Sequence, residues 1–328
     1  MKLLTRKSTR LGLVTGFLLV FILGCDREPT PLAPDATLPG PQDRSLFEPE
    51  TLALFDKTTD QLRARPTAQN WAELARIYHA HEQLDDAIGC YQEALNAGDQ
   101  TNRTPHLLAL ALDETGNRTE ALVAMELATS RLPAYSPSFW KRGQWQLEEG
   151  NAETAAISMQ AALDANPQDL TTRLAVGKFL LDTNQPQPAV QMIAGVVQQV
   201  PQDRYAHYLL GIALAQIGNT FDSAAHLELG RHSKPYWRDR HHDNLQNLLT
   251  GPKREFIILS LRSNKDNARE TLEKLLALEE RMSDDVNYYI QLTKNYRRLV
   301  QPDNAEQMIK TGLALNEHNY QLHYQQAG

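Results

Sequence analysis

Few residues in this sequence stand in a pattern that could do chemistry. The stretch "WRDRHHDNL", residues 237–245, places Asp239 with Asp243, or Asp239 with His242, on one helical face at i,i+4 or i,i+3 spacing, as a metal would require. The adjacent His241 and His242 point apart on a helix, so a solvated polar face is the preferred reading and no metal site is expected. The carboxylate pairs Glu148-Glu149 and Asp284-Asp285 fall at turns or helix ends, where charge is readily solvated. "GPKREF" lacks the spacing of a phosphate-cradling loop, and no HExxH, CxxCH or nucleophile-elbow motif occurs in the chain. Neither enzymatic activity nor a cofactor is expected. Of the two cysteines, Cys90 beside Tyr91 reads as a small half-buried side chain on a helix. The other, Cys25, stands where an apolar run gives way to prolines, in "FILGCDREPTPLAP".

The residues around Cys25 explain its position. Lys2, Arg6, Lys7 and Arg10 form a basic start, followed by an apolar stretch, Leu11 to Leu23. At about 13 residues this stretch is short of the ~20 needed to cross a bilayer, but it suits a signal-peptide core. Ile22-Leu23-Gly24-Cys25 resembles the lipobox of bacterial lipoproteins. That resemblance implies a signal peptide over 1–24, cleavage before Cys25, a diacylglyceryl thioether on its sulfur and an acylated (palmitate-type) amino group. Several chains anchor firmly, because each buried methylene adds about 0.8 kcal/mol. Asp26 follows the anchor, and in enteric bacteria an aspartate there marks inner-membrane retention. The expected location is therefore the cell envelope, lipid-anchored and facing the periplasm. The whole chain carries a formal charge of −7, and loss of residues 1–24 with their four bases leaves −11, which disfavours nucleic acid as a partner. Residues 25–46, with five prolines in "DREPTPLAPDATLPGPQDRS", read as a disordered leash, and 47–67 as an N-terminal capping helix.

Beyond residue 68 the sequence repeats with a step of 34. Ala87, Ala121, Ala155, Ala189 and Ser223 form one small-residue series, and Ala75, Ala109, Gly143, Gly177 and Gly211 a second. Pro133, Pro167, Pro201 and Pro235 keep the same step. Gly116, Gly150 and Gly218 fall between the two small series, with Asn184 in the glycine place of the fourth unit. Each unit therefore reads as helix, turn, helix and a proline-marked break. Small residues at the crossing let antiparallel helices approach closely, while larger ones such as Trp71, Leu74, Tyr78 and Tyr91 fill the grooves.

The period, with Trp71, Leu74, Ala75, Tyr78, Ala87, Tyr91 and Ala94 in the first unit, resembles the tetratricopeptide repeat. The resemblance implies an all-α fold, a right-handed superhelix of helix-turn-helix units. Five units span 68–237, and irregular, degenerate units with a C-terminal cap span 238–328, aligned through Ala268, Leu272 and Leu275 and then Tyr289, Leu292, Tyr296, Ala305, Ile309 and Gly312.

In such an array the first helix of each unit makes a concave wall, on which positions three before, one after and four after the small crossing residue share a face. The candidate partner-binding groove comprises Arg76, His79, His106, Trp140, Gln144, Lys178 and Tyr208, with Lys294 and Arg297 from a later unit. Aromatic and arginine side chains of this kind suit a peptide or protein segment. Some of these positions, Leu174 and Ala215 in particular, read better as packing between neighbouring first helices. Chaperone-docking repeats hold a terminal carboxylate with a lysine and an asparagine, but here Ala72 and Arg76 take those places. The segment "SKPYWRDRHHDNLQNLLTG" inserts about eleven residues, with Tyr236 and Trp237 either closing a seam between two halves of the solenoid, the preferred reading, or exposed to a ligand. The expected function is a membrane-anchored interaction scaffold or assembly factor for envelope proteins. One alternative is a pilotin-like factor for an outer-membrane secretion or pilus complex, and another is a ligand-binding or enzymatic role in the irregular C-terminal part.

Overall fold

The computed structural model describes residues 30–327 except 34, 232 and 236. The leader, Cys25, Asp26 and Tyr236 lie outside the described residues. After the capping helix α1 (Pro49–Ala64) come five antiparallel pairs. They are α2 (Ala68–Ala80) with α3 (Leu84–Asn96), α4 (Arg103–Glu114) with α5 (Arg118–Thr129), and α6 (Ser136–Glu148) with α7 (Ala152–Ala165). Then follow α8 (Leu170–Asp182) with α9 (Pro186–Gln199), and α10 (Arg204–Gln216) with α11 (Thr220–Leu229). No strand occurs among the described residues, and no described helix is long and apolar enough to cross a membrane.

The helix ends follow local chemistry. Thr67, Asp169 and Asp203 accept backbone N–H bonds from Asn70, Thr172 and Ala206, satisfying donors that the first turn leaves unpaired. Between the two helices of a unit the chain reverses through a left-handed residue: Gly116, Gly150 and Gly218 at φ 82–83°, and Asn184 at 57°. Glu82 and Val300 adopt the same conformation without being glycine, at φ 61° and 58°.

The helix crossings explain the small-residue series. Ala75, Ala87, Ala109 and Ala121 are completely buried. A Cβ on Gly143 would stand 3.1 Å from the Ala155 carbonyl oxygen, and one on Gly177 only 2.5 Å from Ile193 Cγ1. Ser223, the polar member of its series, donates its hydroxyl to the Gly211 carbonyl across the crossing at 2.8 Å. The core is thus continuous from Phe55 and Tyr78 through Tyr91 to Met125 and Trp145.

From residue 30 onward the proline-rich stretch differs from a free leash. It is extended chain laid on the array, with Leu32 and Leu38 against the core, Leu32 N–H donating to Arg63 O at 2.9 Å and Tyr78 O–H to Pro39 O at 3.1 Å. Its leucines supply apolar contact, and Pro39 lies beside Gly89 of α3.

The second part comprises the short α12 (Arg240–Asp243), a 3-10 turn over Asn244–Leu248, α13 (Gly251–Arg262), α14 (Ala268–Leu276), α15 (Glu279–Met282), α16 (Val286–Arg298), α17 (Pro302–Leu315) and α18 (Tyr320–Ala327). Phe256, Leu272, Leu275, Tyr288 and Leu292 share one core there. This part also touches the start of the array. Thr51 and Thr250 hydroxyls lie 2.7 Å apart, Arg281 pairs with Glu48 at 2.7 Å, and Lys253 pairs with Glu82.

Candidate functional site

The concave wall of the first units is already filled, and the occupant is the chain itself. Residues 237–250 run back along it from the fifth unit to the first, a strap in the reverse order of the repeats. Trp237 comes first, its ring 5.7 Å from Trp140 and 5.6 Å, edge-on, from Tyr205. Asp239 follows, 5% exposed, its Oδ2 2.6 Å from His106 Nε2 and its Oδ1 accepting from Tyr135 O–H at 2.8 Å. The same carboxylate caps α12 by accepting from the backbone N–H groups of His241 and His242. His241 stacks on Tyr135 with ring centres 3.9 Å apart, and its Nε2 lies 3.2 Å from Asn102 Oδ1. Leu245 is buried in the core of the first two units, with Leu248 packed against it, and Thr250 reaches α1.

The electrostatics suit a seated strap. Burial by itself would raise the Asp239 carboxyl, but the charge and hydrogen bonds of His106, with the Tyr135 hydroxyl and backbone N–H groups, outweigh it and hold the group far below the ordinary range. Burial pushes His241 down to about 4, helped by His106, so it sits neutral in the groove. Burial likewise lowers His242, with His79 contributing, while the proximity of His79 lowers the Glu114 carboxyl. Lys141, over the rings of Trp140 and Trp145 at 5.4 and 5.9 Å, is lowered by its own burial.

Several residues expected on an open wall are therefore placed differently. His79 and His106 are 4% and 0% exposed, and Trp140 is 1% exposed. The expectation that they wait for an external partner is corrected: His106 and Trp140 hold the strap, and His79 hydrogen-bonds Tyr91 O–H through Nδ1 at 3.2 Å. Arg76 is tied to its own helix by Glu73 and the Ala72 carbonyl. Arg297 is exposed and donates to the Gln325 carbonyl of α18. Lys294 is exposed, with Lys234 and Arg298 close enough to disfavour its charge, after burial of its stem.

Gln144, Lys178 and Tyr208 remain available. Trp140, Gln144, Leu147, Lys178, Phe179, Asp182 and the strap's Trp237 line a small open cleft of about 30 Å³ between the third and fourth units. Lys178 is paired with Asp182 at 2.5 Å and is 42% exposed. The Trp140 indole N–H is buried there without an acceptor. Tyr208, 41% exposed, extends the aromatic surface by stacking at 6.1 Å on Tyr205, whose hydroxyl burial pushes up to about 12.

The comparisons fit this architecture. Residues 146–216 match the tetratricopeptide-repeat family. A tetratricopeptide repeat protein from Parabacteroides merdae superposes with TM-score 0.50 at 12% identity, over 84% of this chain and 91% of that one. The chain folds as a tetratricopeptide-repeat solenoid. Two further solved structures align less well. PilF of Pseudomonas aeruginosa has TM-score 0.44 at 10% identity, over 83% of this chain and 98% of its own. YrrB, described as a tetratricopeptide protein with an unusual peptide-binding site, has TM-score 0.36 at 13% identity, over 73% and 98%. No curated protein matches the sequence.

Sequence reasoning missed Tyr135, Asn102, Ser138 and Asp239 as one buried network. The available signal was a surplus stretch with Trp237, Leu245, Leu248 and Leu249 on it, opposite histidines at concave positions. A solvated strap would carry no such apolar series.

Proposed function

We propose that this tetratricopeptide solenoid is a protein-interaction scaffold that takes peptide or protein segments on its concave wall. One observation carries the reading: the wall of the first units already holds a polypeptide segment, residues 237–250, through buried hydrogen bonds and aromatic contacts. A surface that seats its own chain in this way has the chemistry to seat another. The docking stretch for a partner lies next to the strap, at Gln144, Lys178 and Tyr208 and the cleft walled by Trp140 and Trp237. The half-exposed Lys178 and Tyr208 suit a segment offering a carboxylate and an apolar side chain.

The lipobox-like Ile22-Leu23-Gly24-Cys25 supports anchoring of this scaffold to a membrane of the cell envelope through lipid on Cys25. Asp26 supports the inner membrane. On this reading the partners are envelope proteins.

The test is a crosslinking pull-down from membranes with the native protein and a Lys178→Glu/Tyr208→Ala variant, both folded by circular dichroism. Trp140 is left intact because it is part of the core. A defined set of envelope proteins should vanish with the variant, and their persistence would place docking elsewhere. Metabolic palmitate labelling that survives Cys25→Ser would overturn the anchor.

A further inference from the structure

A second feature of the strap lies beyond scaffolding. His79 on α2, Glu114 at the end of α4 and His242 on the strap converge so that one ligand atom from each lies within 4.8 Å of the others. Glu114 Oε1 is 3.9 Å from His79 Nε2 and 3.8 Å from His242 Nε2. Both gaps are too long for hydrogen bonds, and His79 Nε2 is buried with no hydrogen-bond partner. A buried imidazole nitrogen without a partner, aimed at a carboxylate and a second imidazole, is unusual in a folded chain.

We infer that His79, Glu114 and His242 bind one divalent transition metal of the zinc type, which clamps the strap into the groove. Two imidazoles and a carboxylate are a ligand set that zinc takes readily, whereas magnesium and calcium prefer oxygen. Ligand atoms bound at about 2.1 Å on a tetrahedral ion lie roughly 3.4 Å apart, so the two Glu114 separations need to close by about half an ångström and the separation between the histidine nitrogens, within 4.8 Å, by at most about 1.4 Å. The groups that must move can do so, since the Glu114 and His242 side chains are 44% and 48% exposed. The same exposure admits the ion and leaves a fourth position for water. His79 is the rigid ligand. Its Nδ1 lies 3.2 Å from the Tyr91 hydroxyl oxygen, which can accept from Nδ1–H in the tautomer that leaves Nε2 for the metal.

The site joins elements far apart in sequence, with α2 and α4 on one side and the strap on the other. Metal binding would therefore stabilise the seated strap over a released one. Neither the spacing in "WRDRHHDNL" nor any local motif encodes this, because each ligand comes from a different element.

Titration of the full-length, chelator-treated protein with zinc, and with magnesium as control, tests the inference. Cobalt substitution reports geometry, and hydrogen exchange reports the strap. One zinc per chain is expected, with visible cobalt absorption of a four-coordinate site and slower exchange of the 240–250 amides on binding. Glu114→Gln and His242→Gln change exposed groups, and each should weaken binding by at least the roughly 10- to 100-fold that loss of a merely supporting contact costs. His226→Gln, which alters the separate His207–His226 ring pair, should leave binding unchanged. Absence of zinc binding at micromolar concentration, or equal affinity in the Glu114 and His242 variants, would overturn the inference. So would loss of binding only in the His226 variant.

Discussion

Replacing Asp239 by alanine should release the strap without unfolding the array. The side chain holds His106 Nε2 at 2.6 Å and Tyr135 O–H at 2.8 Å, and it caps α12 through His241 and His242 N–H groups. Truncation leaves a completely buried imidazole and a buried hydroxyl facing empty space. Breaking a buried pair from one side costs about 3–5 kcal/mol, part of which here is the lost cap, itself worth about 1 kcal/mol. Each ~1.4 kcal/mol is a factor of ten, so the opening equilibrium of the strap should rise roughly 10²- to 10³-fold, up to the limit set by full release. Hydrogen exchange by mass spectrometry reads this directly. Peptides over 239–250 should exchange faster by that factor, while α8–α11 stay at wild-type rates. Asp239→Asn keeps the shape and should fall between the two. In a double-mutant cycle with His106→Ala the effects should be less than additive, since both changes break one bond. Wild-type protection of the strap in Asp239→Ala would refute the seating, and so would equal acceleration of α8–α11.

Other consequences are as direct. His241 is held at about 4 against an ordinary 6.5, so the released strap binds more protons than the seated one between those values. Stability of the seated strap is therefore complete above about pH 6.5 and falls as pH drops toward 4, by up to about 3 kcal/mol, which Trp237 fluorescence or exchange across that window would follow. Gly230→Ala should cost at least about 3 kcal/mol in denaturant unfolding, since its Cβ would stand 2.4 Å from the Tyr208 backbone nitrogen. Gly177→Ala, meeting the Ile193 side chain, should cost about 1–3 kcal/mol. Val300→Gly should raise the stability of the α16/α17 pair by about 1 kcal/mol, because a β-branched residue is held at φ 58° while 85% exposed, and an unchanged melting temperature would count against strain there.

The helix pairs were legible because a repeat states its neighbour contacts locally. Gly143 meets Ala155 and Gly177 meets Ile193 within one unit, and the residue types demanded by a close crossing recur with the period. The left-handed turn at Asn184 could be read the same way, from the glycines at equivalent places. The strap was not legible for the opposite reason. Asp239 meets His106 across 133 positions and Thr250 meets Thr51 across 199, and no periodicity encodes such pairings. His106 and Trp140 look like free concave residues in the sequence because the repeat places them correctly on the wall. What covers the wall is a different element. The leash reading went astray on a smaller point: Leu32 and Leu38 are enough to lay proline-rich chain onto a helix surface.

The most direct measurement of the strap's seat is a designed disulfide at its far end. Thr51 and Thr250 hydroxyls are 2.7 Å apart, so Thr51→Cys/Thr250→Cys brings two thiols together only while the strap lies along the groove. Native Cys90 does not interfere, since it is buried and burial, with Asp86 and Glu93 nearby, pushes its thiol far up. Rapid, near-complete oxidation, seen as a faster band on a non-reducing gel and lost in Asp239→Ala, is the expected result. Slow or absent closure in an otherwise folded protein would mean that the groove is not filled by its own chain.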